Sequence, residues 1–162
     1  MPEFFYTTAK NNQARPSEYF RTVPVAGSLG ADIYDIDLNN LSDAGQAALR
    51  QALMDHGVLY IRDQNLSVAQ LEAVTQRFGE FGKEPYVTPM EDHPHVVHVL
   101  KEADEGTPIV FGGAWHSDWS FQERPPAFTL LYGHDVPESG GDTLFNNMYL
   151  ACEWLSPTLR DL

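Results

Sequence analysis

The tetrapeptide Trp115-His116-Ser117-Asp118 constrains this chain more than any other stretch. Two metal-capable side chains stand one residue apart. In a β-strand alternate residues point to the same face, so His116 and Asp118 can aim into one pocket from one strand. A neutral imidazole nitrogen and a carboxylate oxygen are two of the three donors in the facial triad of a non-haem iron site. The same pair is also common by chance as an exposed His and Asp in a turn, and the rest of the chain decides between these readings. Two glycines, Gly112 and Gly113, precede the motif. They let backbone pass close to a ligand or serve as a plain loop hinge.

Upstream, the pattern is that of a small scaffold. Residues 1–22 have no clear period and are expected as an irregular arm. Val23-Pro24-Val25 suits a short edge strand, where proline is tolerated. Gly27 to Gly30 is a turn. Ala31 to Leu38 alternates apolar and acidic residues, the mark of a half-buried strand. Ser42 caps a predicted helix to about Asp55, with Leu41, Ala44, Ala48 and Ala52 at helical spacing and Leu49 and Leu53 beside them. Gly57 sits at its C′ position. Val58 to Ile61 is short and apolar enough for a buried strand. Ser67 with Gln70 makes a capping box for a second helix. Its face is Val68, Leu71, Val74, Thr75 and Phe78, and Gly79 ends it.

Beyond residue 80 the pattern changes. Residues 80–94 are loop-like, with Pro85, Pro89, Pro94 and Tyr86. Strands are predicted at Val96–Leu100, Phe128–Tyr132 and Thr143–Phe145. Lys101 to Pro108 is a polar connection, and Pro137 to Asp142 a tight turn. Met148 to Leu155 reads as a helix. Ser156-Pro157 starts another, a Ser cap with Pro at N1. Only Thr158 to Leu162 follow, too few for a helix that stands alone, so the chain is expected to stop within an element.

Composition narrows the function. The 162 residues are expected to form one domain with a real core. Ten Lys and Arg against 23 Asp and Glu give a formal net charge of −13, which disfavours nucleic acid and anionic membrane surfaces as partners. The single cysteine, Cys152, forms no internal disulfide and suits a reducing cytoplasm. No targeting segment and no run long enough to span a membrane is evident.

Several stretches, in order, resemble the TauD/TfdA (taurine dioxygenase-like) family of Fe(II)/2-oxoglutarate-dependent dioxygenases. They are Gly30-Ala31-Asp32 with Ile36-Asp37-Leu38, His56-Gly57-Val58-Leu59, Ile61-Arg62-Asp63-Gln64, and Arg77-Phe78-Gly79-Glu80. They continue with the Trp115–Asp118 core, Phe121, Pro125-Pro126, and Gly140-Gly141-Asp142-Thr143-Leu144-Phe145. Each is weak alone; in this order they are specific. The resemblance implies an α+β, mainly β fold: a double-stranded β-helix (jelly roll, cupin-like) with flanking helices, truncated here. Residues 1–94 would be scaffold, and residues 95–162 the first jelly-roll strands with the HxD motif. Half a jelly roll leaves strand edges unpaired, so association into a homo-oligomer is expected. The resemblance further implies Fe(II) held by His116 and Asp118, and 2-oxoglutarate contacted by Thr143. Trp119, Phe121 and Tyr86 would contact a small, anionic organic substrate that is hydroxylated with O₂, releasing succinate and CO₂. For Thr143, an ordinary strand residue is the alternative; for Trp119 and Phe121 it is core packing. Trp119 would face away from His116 on a regular strand.

The sequence also departs from the family. The family's downstream histidine and its 2-oxoglutarate-binding arginine have no counterpart: His134 comes too early, and neither Arg124 nor Arg160 matches. His56, His93, His95 and His98 precede the motif and read as loop or surface residues. Where taurine-binding members carry a histidine, Lys83-Glu84-Pro85-Tyr86-Val87 offers Glu84, and their pocket asparagine falls near Gly112. Both departures argue against taurine itself. Three functions therefore compete. One is the dioxygenase. A second is a catalytically incomplete fragment or shortened homologue acting as a non-catalytic or assembly module. The third is a metal hydrolase using His116, Asp118 and one of His93, His95 or His98.

Overall fold

Two serines set the two longest helices of the protein, seen here in a computed structural model that describes residues 12–83, 86–102, 104–106 and 111–162. Residues 1–11 of the arm, Glu84, Pro85, and positions 103 and 107–110 lie outside the described residues. The chain divides into two compact units. One holds the described residues up to Asn65 together with Asp135–Leu162; the other is Leu66–His134.

In the first unit, strand β1 (Arg21–Pro24) pairs antiparallel with β2 (Ala31–Tyr34), and β2 pairs parallel with β3 (Leu59–Ile61). The order is β1-β2-β3, with Thr22 opposite Ile33 and Ile33 opposite Ile61. Pro24 therefore falls on an edge strand, where its missing N–H costs no ladder bond. The expected strand to Leu38 stops at Tyr34, because Asp35 turns into the left-handed region at φ 62°, which a short polar side chain tolerates. The Gln64 amide then holds the departing chain: it donates to the Ile36 and Arg62 carbonyls and accepts from Leu38 N–H at 2.8–3.0 Å.

The parallel pair β2–β3 needs a crossover, and helix α1 (Asp43–His56) supplies it. Ser42 Oγ accepts from Gly45 N–H at 3.1 Å. Gly57, at φ 73°, closes the other end with its N–H on Leu53 O; a Cβ there would come within 2.7 Å of Leu29 Cδ1. The buried stripe is Gly45, Leu49, Ala52 and His56. The predicted face is rotated from this: Ala44 is exposed and Gly45 buried, with the Leu41 side chain filling the space a Cβ on Gly45 would take. Leu49 and Ile33 are fully buried, with Phe20, Ala31, Leu38 and Ala52 around them in the core of this unit.

The buried end of that stripe is polar. His56 was expected in a loop or at the surface, yet it is only 3% exposed. Its Nδ1–H donates to Asn12 Oδ1, while Asn12 Nδ2 donates to the Gly30 and Ala26 carbonyls. Asn12 is thus satisfied on both amide atoms, and His56 is accommodated as the neutral ring. Burial lowers the His56 pKa below its ordinary value, opposed by Asp55 and reinforced by Arg15.

Two short helices complete this unit, α3 (Met148–Glu153), capped by Asn147, and α4 (Pro157–Arg160), capped by Ser156 as the Ser-Pro pair predicts. Asn147 does double duty: Oδ1 accepts from Leu150 N–H at 3.1 Å, and Nδ2 donates to Ser28 O at 2.7 Å.

In the second unit, helix α2 (Val68–Gln76) carries the predicted Ser67/Gln70 capping box. Val74 is buried on its predicted face, and Leu66 is buried just ahead of it. Loops are laid against this helix. Phe128 meets Phe78 edge-on at 6.0 Å, the Tyr132 hydroxyl accepts from Leu66 N–H at 3.1 Å, and His93 Nδ1 lies 2.7 Å from Glu72 Oε2.

The predicted strands Val96–Leu100, Phe128–Tyr132 and Thr143–Phe145 form no ladder among the described residues. A strand requires a neighbour about 4.8 Å away, and strand preference is largely a preference for a half-covered pleated surface. Here Leu100, Leu131 and Leu144 stay about two-thirds or more exposed (70%, 68% and 71%).

Candidate metal centre

Three local devices set the geometry of the HxD motif. First, Gly112 turns at φ 70°, and the position of a Cβ on it lies 3.5 Å from His116 Cε1. The turn uses the left-handed conformation that glycine allows, and it runs beside the imidazole with ordinary contact room. Second, the Ala114 carbonyl accepts a hydrogen bond from His116 Nδ1–H at 2.8 Å. That bond fixes the tautomer and leaves the Nε2 lone pair free for a metal. Third, the chain turns immediately after the motif. Trp119 sits at φ 45°, and Gln122 N–H closes onto Trp119 O at 2.9 Å.

The two donors converge. His116 Nε2 and Asp118 Oδ1 are 3.2 Å apart, with the side chains 54% and 35% exposed. The expected i, i+2 convergence is present, but the expected strand is not: residues 115–117 belong to no ladder. The Ala114 bond and the turn at Trp119 do what a ladder would have done. The other carboxylate oxygen, Asp118 Oδ2, accepts from the Thr129 hydroxyl at 2.7 Å. The motif gave no sign of Thr129, which read only as part of an apolar strand eleven residues downstream.

The remaining candidates divide. Tyr86 and Phe121 share a ring contact with centroids 5.9 Å apart, and both are largely exposed. Trp119 is half-buried, and its left-handed backbone replaces the regular alternation that would have turned it away from His116. Thr143 belongs to the other unit, exposed and outside any strand, after the consecutive left-handed glycines Gly140 and Gly141. No group of three His, Cys, Asp or Glu side chains able to hold a metal occurs among the described residues. Two of the histidines that a hydrolase centre would draw on are engaged elsewhere, His93 with Glu72 and His95 stacked on Phe81 at 4.0 Å. No described helix is long and apolar enough to cross a membrane.

Comparison with known proteins gives a consistent picture. The profile of the "Taurine catabolism dioxygenase TauD, TfdA family" matches residues 21–162. An alpha-ketoglutarate-dependent sulfonate dioxygenase of Saccharomyces cerevisiae is 31% identical over 147 residues, covering 85% of this chain and 35% of that protein. An alpha-ketoglutarate-dependent sulfate ester dioxygenase of Pseudomonas putida is 30% identical over 141 residues, covering 86% and 45%. A crystal structure from Burkholderia xenovorans, assigned to the alpha-ketoglutarate-dependent taurine dioxygenases, superposes with a TM-score of 0.67 at 27% identity, covering 88% of this chain and 50% of that one. The chain thus spans about a third to a half of the length of these relatives.

Proposed function

The chain belongs to the taurine catabolism dioxygenase TauD, TfdA family, and on that premise we propose that it serves an Fe(II)- and 2-oxoglutarate-dependent dioxygenase. The reaction is hydroxylation of a small, anionic organic substrate with O₂, releasing succinate and CO₂. The observation that carries this reading is the donor pair: His116 Nε2, its tautomer set by Ala114, stands 3.2 Å from Asp118 Oδ1. One neutral nitrogen and one carboxylate oxygen on adjacent alternate residues fit two positions of a facial triad.

In this reading His116 and Asp118 hold the iron. When bound with 2-oxoglutarate, iron supplies the activation of O₂ and the oxidation of an unactivated C–H bond. The Thr143 hydroxyl holds a carboxylate of 2-oxoglutarate. Trp119, Phe121 and Tyr86 border the substrate and keep water from it. The sulfonate and sulfate ester named for two relatives support an anionic substrate. We assign residues 1–94 to the scaffold and residues 95–162 to the start of a double-stranded β-helix, in a cytoplasmic homo-oligomer. The exposed apolar residues Leu100, Leu131 and Leu144 within the three predicted strands support the β-helix part of that assignment.

A second reading, a catalytically incomplete homologue acting as an assembly module, is favoured by one observation: two donors, not three, come together among the described residues. One experiment separates the two. The full chain is incubated with Fe(II), 2-oxoglutarate and a panel of alkyl sulfonates and sulfate esters. Succinate formation that requires Fe(II) and is lost in His116→Ala supports the dioxygenase. Fe(II) binding without succinate favours the module. Fe(II) binding unchanged in both His116→Ala and Asp118→Ala overturns the donor assignment.

A further inference from the structure

We propose that Thr129 is a positioning residue for the metal centre, assigning the two oxygens of Asp118 to different tasks. This rests on the reading of His116 and Asp118 as metal donors. A carboxylate can hold a metal through one oxygen or both. A facial site needs the first, because a second bound oxygen takes a position required for co-substrate or O₂. In this protein Asp118 Oδ1 faces His116 Nε2 at 3.2 Å, and Oδ2 accepts the Thr129 hydroxyl at 2.7 Å. A hydrogen bond to a carboxylate is charge-assisted and short. It occupies Oδ2 and leaves Oδ1 for the metal.

The position of Thr129 is itself fixed. Phe128, one residue before it, packs edge-on against Phe78, just beyond the C-terminal end of α2. Tyr132, three residues after it, accepts from Leu66 N–H, just ahead of that helix. The segment is therefore pinned on both sides of Thr129. The β-branched side chain has few χ1 choices, so the hydroxyl is delivered to one place. The route from helix to donor is continuous: α2, the 128–132 segment, the Thr129 hydroxyl, Asp118 Oδ2. The closest apolar match, valine, would keep the shape and lose the donor.

The test measures Co(II) binding to the full chain by titration and by its ligand-field absorption spectrum. Thr129→Val and Thr129→Ala should each raise the Co(II) dissociation constant on the order of 10-fold, within the range seen when an outer hydrogen-bond partner of a ligand is lost. Both should alter the Co(II) spectrum as Asp118 becomes free to bind through two oxygens. Thr129→Ser should keep the wild-type spectrum and most of the affinity. Thermal unfolding midpoints are followed throughout, and the alanine variant decides if the valine variant misfolds. If Thr129→Ala binds Co(II) with the wild-type affinity and spectrum while His116→Ala and Asp118→Ala lose it, Thr129 has no such role and the donor reading stands. If the wild-type chain shows no saturable Co(II) binding, both fall together.

Discussion

His56 and His116 are locked by the same kind of bond in opposite surroundings. Each donates from Nδ1 to a carbonyl oxygen, His56 to the Asn12 side chain and His116 to the Ala114 backbone. His56 is 3% exposed at the end of α1, where its partner is itself anchored to the Gly30 and Ala26 carbonyls. His116 has a side chain 54% exposed, with a carboxylate 3.2 Å from its other nitrogen. The tautomer lock alone therefore does not mark a functional histidine. What sets His116 apart, and carries the proposed metal role, is a carboxylate facing its other nitrogen on an exposed surface.

The largest effect should come from breaking the exposed pair. His116→Ala should weaken Co(II) binding about 100-fold or more by removing a ligand outright, while unfolding free energy stays within about 0.5 kcal/mol, as for an exposed site. Asn12→Ala should do the reverse. It takes the Asn12 partner from His56 Nδ1–H and from the Ala26 carbonyl, while the Gly30 carbonyl keeps Val25 N–H, at about 1–3 kcal/mol, with Co(II) affinity unchanged. Chemical denaturation and Co(II) titration on both variants give a two-by-two outcome. If both variants lose both properties, the contrast between a structural and a ligand-facing histidine fails.

A smaller change sharpens the exposed side. Gly112→Ala forces a side chain into the left-handed region, at about 1–2 kcal/mol, beside an imidazole with ordinary contact room at 3.5 Å. If the strain is relieved by moving the turn, His116 moves with it and Co(II) affinity falls along with stability. If stability falls and affinity holds, the turn is a hinge only, and the close approach to the imidazole carries no weight.

How far the sequence revealed these two regions depends on how local each signal is. The Ser42, Ser67 and Ser156 caps rest on bonds spanning three residues, so these helix starts are legible. The β2–α1–β3 unit follows from an alternating run, a capped helix and a short apolar run in succession. The His116–Asp118 pair was legible because two donors lie two residues apart. Thr129, by contrast, reaches Asp118 across 11 residues and Asn12 reaches His56 across 44, and no spacing rule links such positions. Burial of His56 was missed for a further reason: the helix face was read from apolar residues, and Gly45 and His56 are the members of the true stripe that such a reading discards. The strands at 96–100, 128–132 and 143–145 were read from composition, which reports a tendency to be covered and not the presence of a partner.

The smallest effect concerns pH, and it separates the two histidines by their surroundings. Burial lowers the pKa of His56 in the folded chain, with Asp55 opposing and Arg15 assisting; Arg15 and Asp55 are themselves paired at 2.9 Å. The unfolded ring titrates near its ordinary value of about 6.5. Above that value neither state carries the proton, and the neutral ring bound to Asn12 contributes its full stability. As pH falls through about 6.5 the unfolded chain takes up a proton that the folded chain resists, so stability must fall. The loss ends once pH is below the folded pKa, where both states are protonated. Thermal unfolding midpoints should therefore drop between pH 7.5 and 5.5, and His56→Gln, which keeps a hydrogen-bonding side chain without a titrating one, should drop less. An equal drop in the variant would assign the acid sensitivity to other groups and leave His56 as a packed ring whose charge does not matter.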